Sequence, residues 1–322
     1  MIGVAVAFLT TLIFCPVAER IAWRIGAIDV PRDWRRMHTK SIPRCGGLAL
    51  FAGVAMGTLF LQREPTVLAT ALAGGVILLA VGVVDDAYSL PAWLKLTAQV
   101  WAALMTVLRL GIGNGIFTLG AVLWVIAMTN AHNFIDGLDG LFGGTAATEG
   151  LALAGLYAVA GDGALSVPCL VLAAVCGAFL TRNLPPAKLF AGDCGSGSIG
   201  FLLGVLSLPA FENGSWWLGT LAPLLIFAYP LTDLVTAVTR RILRGKSPFA
   251  ADKAHLHHRI CAIGVPKSLC VLVLCGLALS LGAVGVLLGD SAYAAVASAA
   301  AVIAVLLMTV IRRFLLHFFE NS

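Results

Sequence analysis

Thr66-Val-Leu-Ala-Thr-Ala-Leu-Ala-Gly-Gly-Val-Ile-Leu-Leu-Ala-Val-Gly-Val-Val84 contains no charged residue and ends on two adjacent carboxylates, Asp85-Asp86. A helix that crosses a bilayer needs roughly 20 mostly apolar residues, so this stretch reads as a transmembrane helix with acid at one mouth. The rest of the chain repeats the pattern. Of its 322 residues, 60% are hydrophobic and 11% charged, against about 25% charged in an ordinary soluble domain. Apolar runs lie at about 2–22, 46–62, 66–84, 96–111, 115–130, 145–161, 164–182, 197–212, 216–238, 268–289 and 292–311. Turn signals such as Gly111-Ile112-Gly113-Asn114-Gly115 and Gly161-Asp162-Gly163 divide them. The expectation is an all-α polytopic membrane protein of ten or eleven transmembrane helices, one domain over residues 1–322. The first run lacks a preceding basic stretch and an obvious small-residue cleavage site, and Arg20 and Arg24 follow it. It reads as a first transmembrane helix, not a cleaved signal. The eight cysteines form no C-x-x-C pair and read as small buried hydrophobes.

Charge sets the orientation. With the amino terminus outside and the spans alternating, 19 of the 21 Lys and Arg residues fall on one side, and only Arg63 and Arg109 on the other. The positive-inside rule makes that side cytoplasmic. All six histidines and most carboxylates fall there too. A site built from polar groups is therefore expected on the cytoplasmic loops.

Four constellations occupy that edge. Asp85-Asp86 closes the third span, where paired carboxylates beside an apolar run are costly unless a cation or ligand uses them. Asn130, Asn133, Asp136 and Asp139 recur every three residues at the end of the fifth span, with Gly137 and Gly140 bending the backbone. Carboxylate and amide oxygens suit magnesium, which prefers to share substrate phosphates. Phe190-Ala191-Gly192-Asp193-Cys194-Gly195-Ser196 is a Gly/Ser loop leading into a helix, whose N–H groups could meet a phosphate. By itself it reads equally well as a plain turn. The longest inner loop carries Arg240, Arg241 and Arg244, then His255-Leu256-His257-His258. Its histidines read better as donors to an anionic phosphate than as a zinc set. Asp233, alone inside the ninth span, reads as a paired structural charge, with Arg240 seven residues on as its candidate partner, or as a group that meets substrate directly.

Carboxylates, phosphate-cradling loops and basic clusters on one membrane face suit metal-assisted phosphoryl transfer. In order and spacing the motifs resemble the polyprenyl-phosphate N-acetylhexosamine-1-phosphate transferases, the glycosyltransferase family 4 enzymes that include WecA and TagO and, more distantly, MraY. The resemblance runs from His38-Thr-Lys40-Ser-Ile-Pro43-Arg44-Cys45-Gly46-Gly47 through Asp85-Asp86 and the Asn130 to Leu141 ladder. It continues through the Asp193 loop to His255-x-His257-His258. Ser247-Pro248-Phe249 and the His-x-His-His form look like the WecA/TagO branch, whereas MraY would show three consecutive histidines.

The resemblance implies transfer of a sugar 1-phosphate, by default GlcNAc-1-phosphate, from a UDP-sugar to undecaprenyl phosphate, with release of UMP. Another UDP-N-acetylhexosamine, or a MurNAc-pentapeptide donor as in MraY, is the alternative. It implies Mg2+, with Mn2+ as a substitute, held by Asp193 with Asn133 nearby. Asp136, Gly137, Leu138, Asp139 and Phe190 match positions around the nucleotide. Arg241, His255, His257 and His258 match substrate-binding positions, and Lys40 corresponds more loosely. Asp85, Asp86 and Lys95 are the expected catalytic group, one carboxylate orienting or deprotonating the acceptor. Membrane lipids are expected partners and nucleic acid is not; dimerisation is known in the wider family. The implied location is the bacterial plasma membrane. An ion-coupled transporter would place its acids near the midplane of repeated halves, and no repeat is seen. A CDP-alcohol phosphotransferase would show Ala-Arg soon after its first Asp-Gly, where Leu138-Asp139 stands.

Overall fold

The computed structural model describes residues 1–30, 41–61, 66–212, 216–247 and 255–288. Helix α1 (Ile2–Ile25) leads to a short hairpin, β1 (Ile28–Asp29) antiparallel to β2 (Ile42–Pro43). There follow α2 (Gly46–Leu59), α3 (Thr66–Tyr88), α4 (Ala92–Leu110), α5 (Ile116–Ile135), α6 (Leu141–Val159), α7 (Gly163–Asn183) and α8 (Gly192–Glu212). The bundle closes with α9 (Trp216–Ile226), α10 (Ala228–Leu243), the short α11 (Leu256–Ala262) and α12 (Lys267–Leu288). Gly26 and Gly111 end α1 and α4 with φ of 77° and 66°, the left-handed cap that glycine adopts without a Cβ penalty.

By length and composition α1, α3, α5, α7, α8 and α12 are able to cross a membrane, and α9 with α10 makes a seventh crossing if counted as one bent span. The chain is an all-α polytopic membrane protein. Helices α2, α4 and α6 also stand where apolar runs were read. However, α2 has only 14 residues, and α4 and α6 do not meet the same test. The expected ninth span, 216–238, is not one helix. Its axis turns by 79° between Thr220–Ile226 and Ala228–Leu243. Pro230 explains the break, because it has no N–H for the carbonyl of Ile226 and its ring crowds that oxygen. The run at 292–311 lies outside the described residues.

Helix α8 is the centre of the bundle, with 89% of its apolar window buried. Its sequence permits this: Gly195, Gly197, Gly200 and Gly204 alternate with Ser196, Ser198 and Ser207, and small residues let helix backbones approach in a membrane. Gly82 brings α3 against α8, where a Cβ would overlap the backbone of Cys194. Gly47 does the same for α2. Hydrogen bonds between helix ends gather the C-termini of α3, α5 and α7 and the N-termini of α4, α6 and α8 at one end of the bundle.

One polar pair is wholly enclosed by the bundle. His132 and Glu149 have no exposed side-chain surface, and His132 Nε2 lies 2.6 Å from Glu149 Oε2 while Nδ1 meets the Met128 carbonyl at 2.8 Å. The pair joins α5 to α6 inside the bundle, where each group alone would be strongly destabilising.

The close approach of α3 to α8 gives a direct test. Gly82→Ala should cost about 1–3 kcal/mol of stability by overpacking, seen as a lower thermal-unfolding midpoint in detergent. Gly177, in α7, has open space around its Cβ position. Gly177→Ala should be neutral or stabilise by up to about 1 kcal/mol.

Candidate active site

The polar end of the bundle holds a cleft of about 530 Å3 lined by Arg44, Asp85, Lys95, Gln99, Asn130, Asn133, Phe134, Asp193, Arg241 and His255, with Leu78, Val81 and Leu96 on its apolar side. Asp85 and Asp86, adjacent on α3, have different surroundings. Asp85 faces the cleft: its Oδ1 accepts the Leu90 N–H at 2.6 Å and its Oδ2 accepts Lys95 Nζ at 2.9 Å. Asp86 turns inward. Its two oxygens accept the N–H groups of Asp193 and Cys194 at 2.9 and 3.1 Å, in the first turn of α8. Arg44 stands 3.6 Å from Asp86 Oδ1 and 3.9 Å from Asp193 Oδ1. Neighbours on a helix point about 100° apart, which is how one carboxylate lines the cleft while the next caps a helix.

Asp193 is in the first turn of α8, where the helix dipole favours negative charge. Lys95 Nζ donates to its Oδ2 at 2.7 Å, so one ammonium bridges Asp85 and Asp193. Asn133 Nδ2 donates to Ser196 Oγ at 3.1 Å, and Ser196 Oγ donates to the Gly192 carbonyl. Gly192 has a φ of 71°, and a Cβ there would overlap the Arg44 carbonyl. Asp136 ends α5 just outside the membrane-spanning segment. Burial pushes its carboxyl up to about 7; Arg44 opposes this, while Asp193, then Asp86, adds to it.

The remaining ladder residues support the loops. Asp139 Oδ2 accepts the Ala187 N–H at 2.9 Å and so holds the segment leading to Phe190. Leu138 is buried in an apolar cluster with Ile135, Leu141, Tyr229 and Leu274. Phe190 is anchored through its backbone, N–H to Pro43 and carbonyl to Gly46.

The basic loop also divides. His255 reaches the cleft, and its Nδ1 lies 2.7 Å from Asp233 Oδ2. Asp233 Oδ1 accepts the Leu256 N–H at 2.8 Å. The Asp233 carboxylate thus serves His255 and the start of α11, partners that the sequence reading, which offered Arg240, did not name. Arg241 is buried, with its guanidinium 4.9 Å from the centre of the Phe134 ring. His257 is fully buried, and neither ring nitrogen has a hydrogen-bond partner among the described residues. Burial first, then the charge of His258, pushes its pKa down to about 3. It sits on Gly137, where a Cβ would stand 2.5 Å from Nε2. His258 lies 4.3 Å from His257, ring centre to ring centre. Lys40 is outside the described residues.

The structure therefore brings Asp85, Lys95, Asn133, Asp193, Arg241 and His255 to one cleft. Asp86, Leu138, Asp139 and His257 form the frame behind it. Three contributors were not singled out from the sequence. Arg44 was visible inside a motif but assigned no role. Gln99 exchanges amide hydrogen bonds with Asn130, the shorter at 2.7 Å; its signal was its place one turn beyond Lys95. Asn183 binds the Gly140 N–H and the Leu189 carbonyl, tying α7 to both site loops, and had no distinguishing pattern.

A membrane-embedded helical bundle with carboxylates, amides and basic groups around one edge cleft is the class of site that handles charged groups at a bilayer surface. Residues 68–210, from α3 to α8, match the model of glycosyl transferase family 4. The chain is 38% identical over 296 residues to a probable undecaprenyl-phosphate N-acetylglucosaminyl 1-phosphate transferase of Bacillus subtilis, covering 85% of this chain and 82% of the relative. It is 33% identical over 320 residues to a decaprenyl-phosphate N-acetylglucosaminephosphotransferase of Mycobacterium tuberculosis, covering 85% and 78%. An Escherichia coli undecaprenyl-phosphate alpha-N-acetylglucosaminyl 1-phosphate transferase is 29% identical over 301 residues, covering 87% and 81%. The chain belongs to glycosyl transferase family 4, in its branch of polyprenyl-phosphate N-acetylhexosamine-1-phosphate transferases.

The cap on α8 makes a prediction that does not depend on turnover. Asp86→Ala leaves two N–H groups of α8 without an acceptor and should cost about 2 kcal/mol, read as a lower thermal-unfolding midpoint. Asp86→Asn keeps one acceptor and should fall between Ala and wild type.

Proposed function

We propose that this protein transfers N-acetylglucosamine 1-phosphate from UDP-N-acetylglucosamine to undecaprenyl phosphate, releasing UMP. The observation that carries this reading is the convergence of Asp85, Lys95, Asn133 and Asp193 on one cleft at the end of an apolar bundle. The names of the relatives, which pair N-acetylglucosamine with a polyprenyl phosphate, support the choice of donor and acceptor. The lopsided Lys and Arg distribution supports ten or eleven crossings, an outer amino terminus and a cleft facing the cytoplasm. A soluble nucleotide sugar and a lipid phosphate meet only where water meets the membrane.

Asp193 and Asn133 are the residues to hold Mg2+, with Asp85 Oδ2 on the same edge as Asp193 Oδ2, and the donor chemistry fits. Asp193 lines the cleft, Asn133 commits its NH2 to Ser196 and keeps its carbonyl oxygen, and Asp85, Asp86, Asp136 and Asp193 outnumber Arg44 and Lys95. When bound, the ion would neutralise charge on the pyrophosphate. In the reaction, an oxygen of the acceptor phosphate forms a bond to the sugar-bearing phosphorus. The bond from that phosphorus to the bridging oxygen breaks, and UMP leaves with the electron pair. A phosphate monoester has its second pKa near 6, so the acceptor is largely a dianion at neutral pH and little base catalysis is needed. Asp85, on the cleft, orients the acceptor or takes its residual proton; Asp86 positions α8. Lys95, Arg241 and His255 would receive phosphate charge, so positioning and charge neutralisation carry most of the acceleration.

Purified protein with Mg2+, undecaprenyl phosphate and a panel of UDP-sugars should release UMP with UDP-N-acetylglucosamine and yield a lipid of matching mass. Failure with every UDP-N-acetylhexosamine would refute the reading. Chelation should abolish turnover and Mg2+ or Mn2+ restore it, while Asp193→Asn should lower kcat by at least about a hundredfold. Direct transfer inverts configuration at phosphorus, and retention in a stereochemical assay would require a covalent intermediate instead.

A further inference from the structure

We propose that Lys95 and the divalent ion compete for one carboxylate edge, so that metal binding evicts the ammonium and frees it for the substrate's phosphates. This rests on the transferase reading above and deepens it. The edge is formed by Asp85 Oδ2 and Asp193 Oδ2, and Lys95 Nζ lies 2.9 and 2.7 Å from them. The outer oxygens have other neighbours: Asp85 Oδ1 accepts the Leu90 N–H, and Arg44 stands 3.9 Å from Asp193 Oδ1. The oxygens facing each other are therefore the ones a hard cation would seek, and the lysine holds both. A small dication that demands oxygen ligands and an ammonium cannot share them.

The way Lys95 is mounted suits it to leave. It sits in the first turn of α4 at the cleft, with 32% of its side chain exposed, on a flexible four-carbon stem. One turn deeper, the amide pair Gln99–Asn130 fastens α4 to α5. The ammonium can swing into the cleft while its helix stays in place. Charge favours the exchange. Four carboxylates surround Arg44 and Lys95, and a dication at the edge in the lysine's place raises the positive charge facing them from two to three. The released ammonium then matches an incoming phosphate. Metal would thus prepare the phosphate site through Lys95 as well as by direct contact.

Two measurements on the full chain in detergent, without substrate, test this. In the wild type, the rate of Lys95 acetylation by an N-hydroxysuccinimide ester, followed by peptide mass spectrometry, should rise severalfold as Mn2+ is titrated. Asp193→Asn should remove that dependence. An unchanged or slower rate would overturn the proposal. Lys95→Met and Lys95→Gln should bind Mn2+ about tenfold tighter by electron paramagnetic resonance, as expected for loss of a competing charge, and Lys95→Arg should not. Binding no tighter in both neutral variants would also overturn it. Neither readout needs turnover. Metal-dependent release of Lys95 without UMP production would sink the transferase reading alone, whereas turnover with Lys95 unmoved by metal would sink this one alone.

Discussion

The N-terminus of α8 is the constraint on which the site depends. The first N–H groups of a helix have no partner within it, and here they begin inside a tightly packed bundle. Asp86 takes two of them from the neighbouring α3. It reaches them only because Gly82 and Gly47 let α3 and α2 lie against the α8 backbone. With α8 fixed in this way, Asp193 projects from its first turn into the cleft, where the dipole of its own helix steadies its charge.

Around that point the apolar bundle works as a mount. Charged groups are expensive in hydrocarbon, and among the described residues the carboxylates at the cleft are supported by pairs: Lys95 with Asp85 and Asp193, and His255 with Asp233. The fully enclosed pair, His132 with Glu149, follows the same rule through one carboxylate oxygen, while Glu149 Oε1 has no hydrogen-bond partner among the described residues. It also ties α5, which carries Asn133, to α6. The supporting loops are held through backbone groups, as Asp139 does for Ala187 and Asn183 for Gly140 and Leu189. Such contacts leave the cleft-facing side chains available for ligands.

Much of this was legible in order. Apolar length placed the helices, because a membrane imposes a minimum run of residues, and α1 to α8 stand close to the runs read from the sequence. The break at Phe227 was not read, although Pro230 carried the signal: hydropathy registers apolarity and ignores a missing N–H. The Asn133, Asp136 and Asp139 ladder was legible as a group, yet its members divide. Asn133 faces the cleft and Asp139 holds a loop, because the backbone leaves the helix between them. Gln99 and Asn183 were missed because a single polar residue in an apolar run acquires meaning only from what stands opposite it.

The same division holds for the paired acids at the end of the uncharged 66–84 run. The sequence by itself determined that this is a helical membrane protein of a known transferase family, with its polar chemistry at one edge. Periodicity, apolar length and motif order are properties of the chain alone. Only the tertiary structure decided that Asp85 faces the cleft while Asp86 caps α8, that Lys95 bridges Asp85 to Asp193, and that His255 lines the cleft where His257 does not. Those distinctions depend on which neighbouring helix each side chain meets, and residues distant in sequence supply the neighbour: Asp193 for Lys95, Cys194 for Asp86, Asp233 for His255.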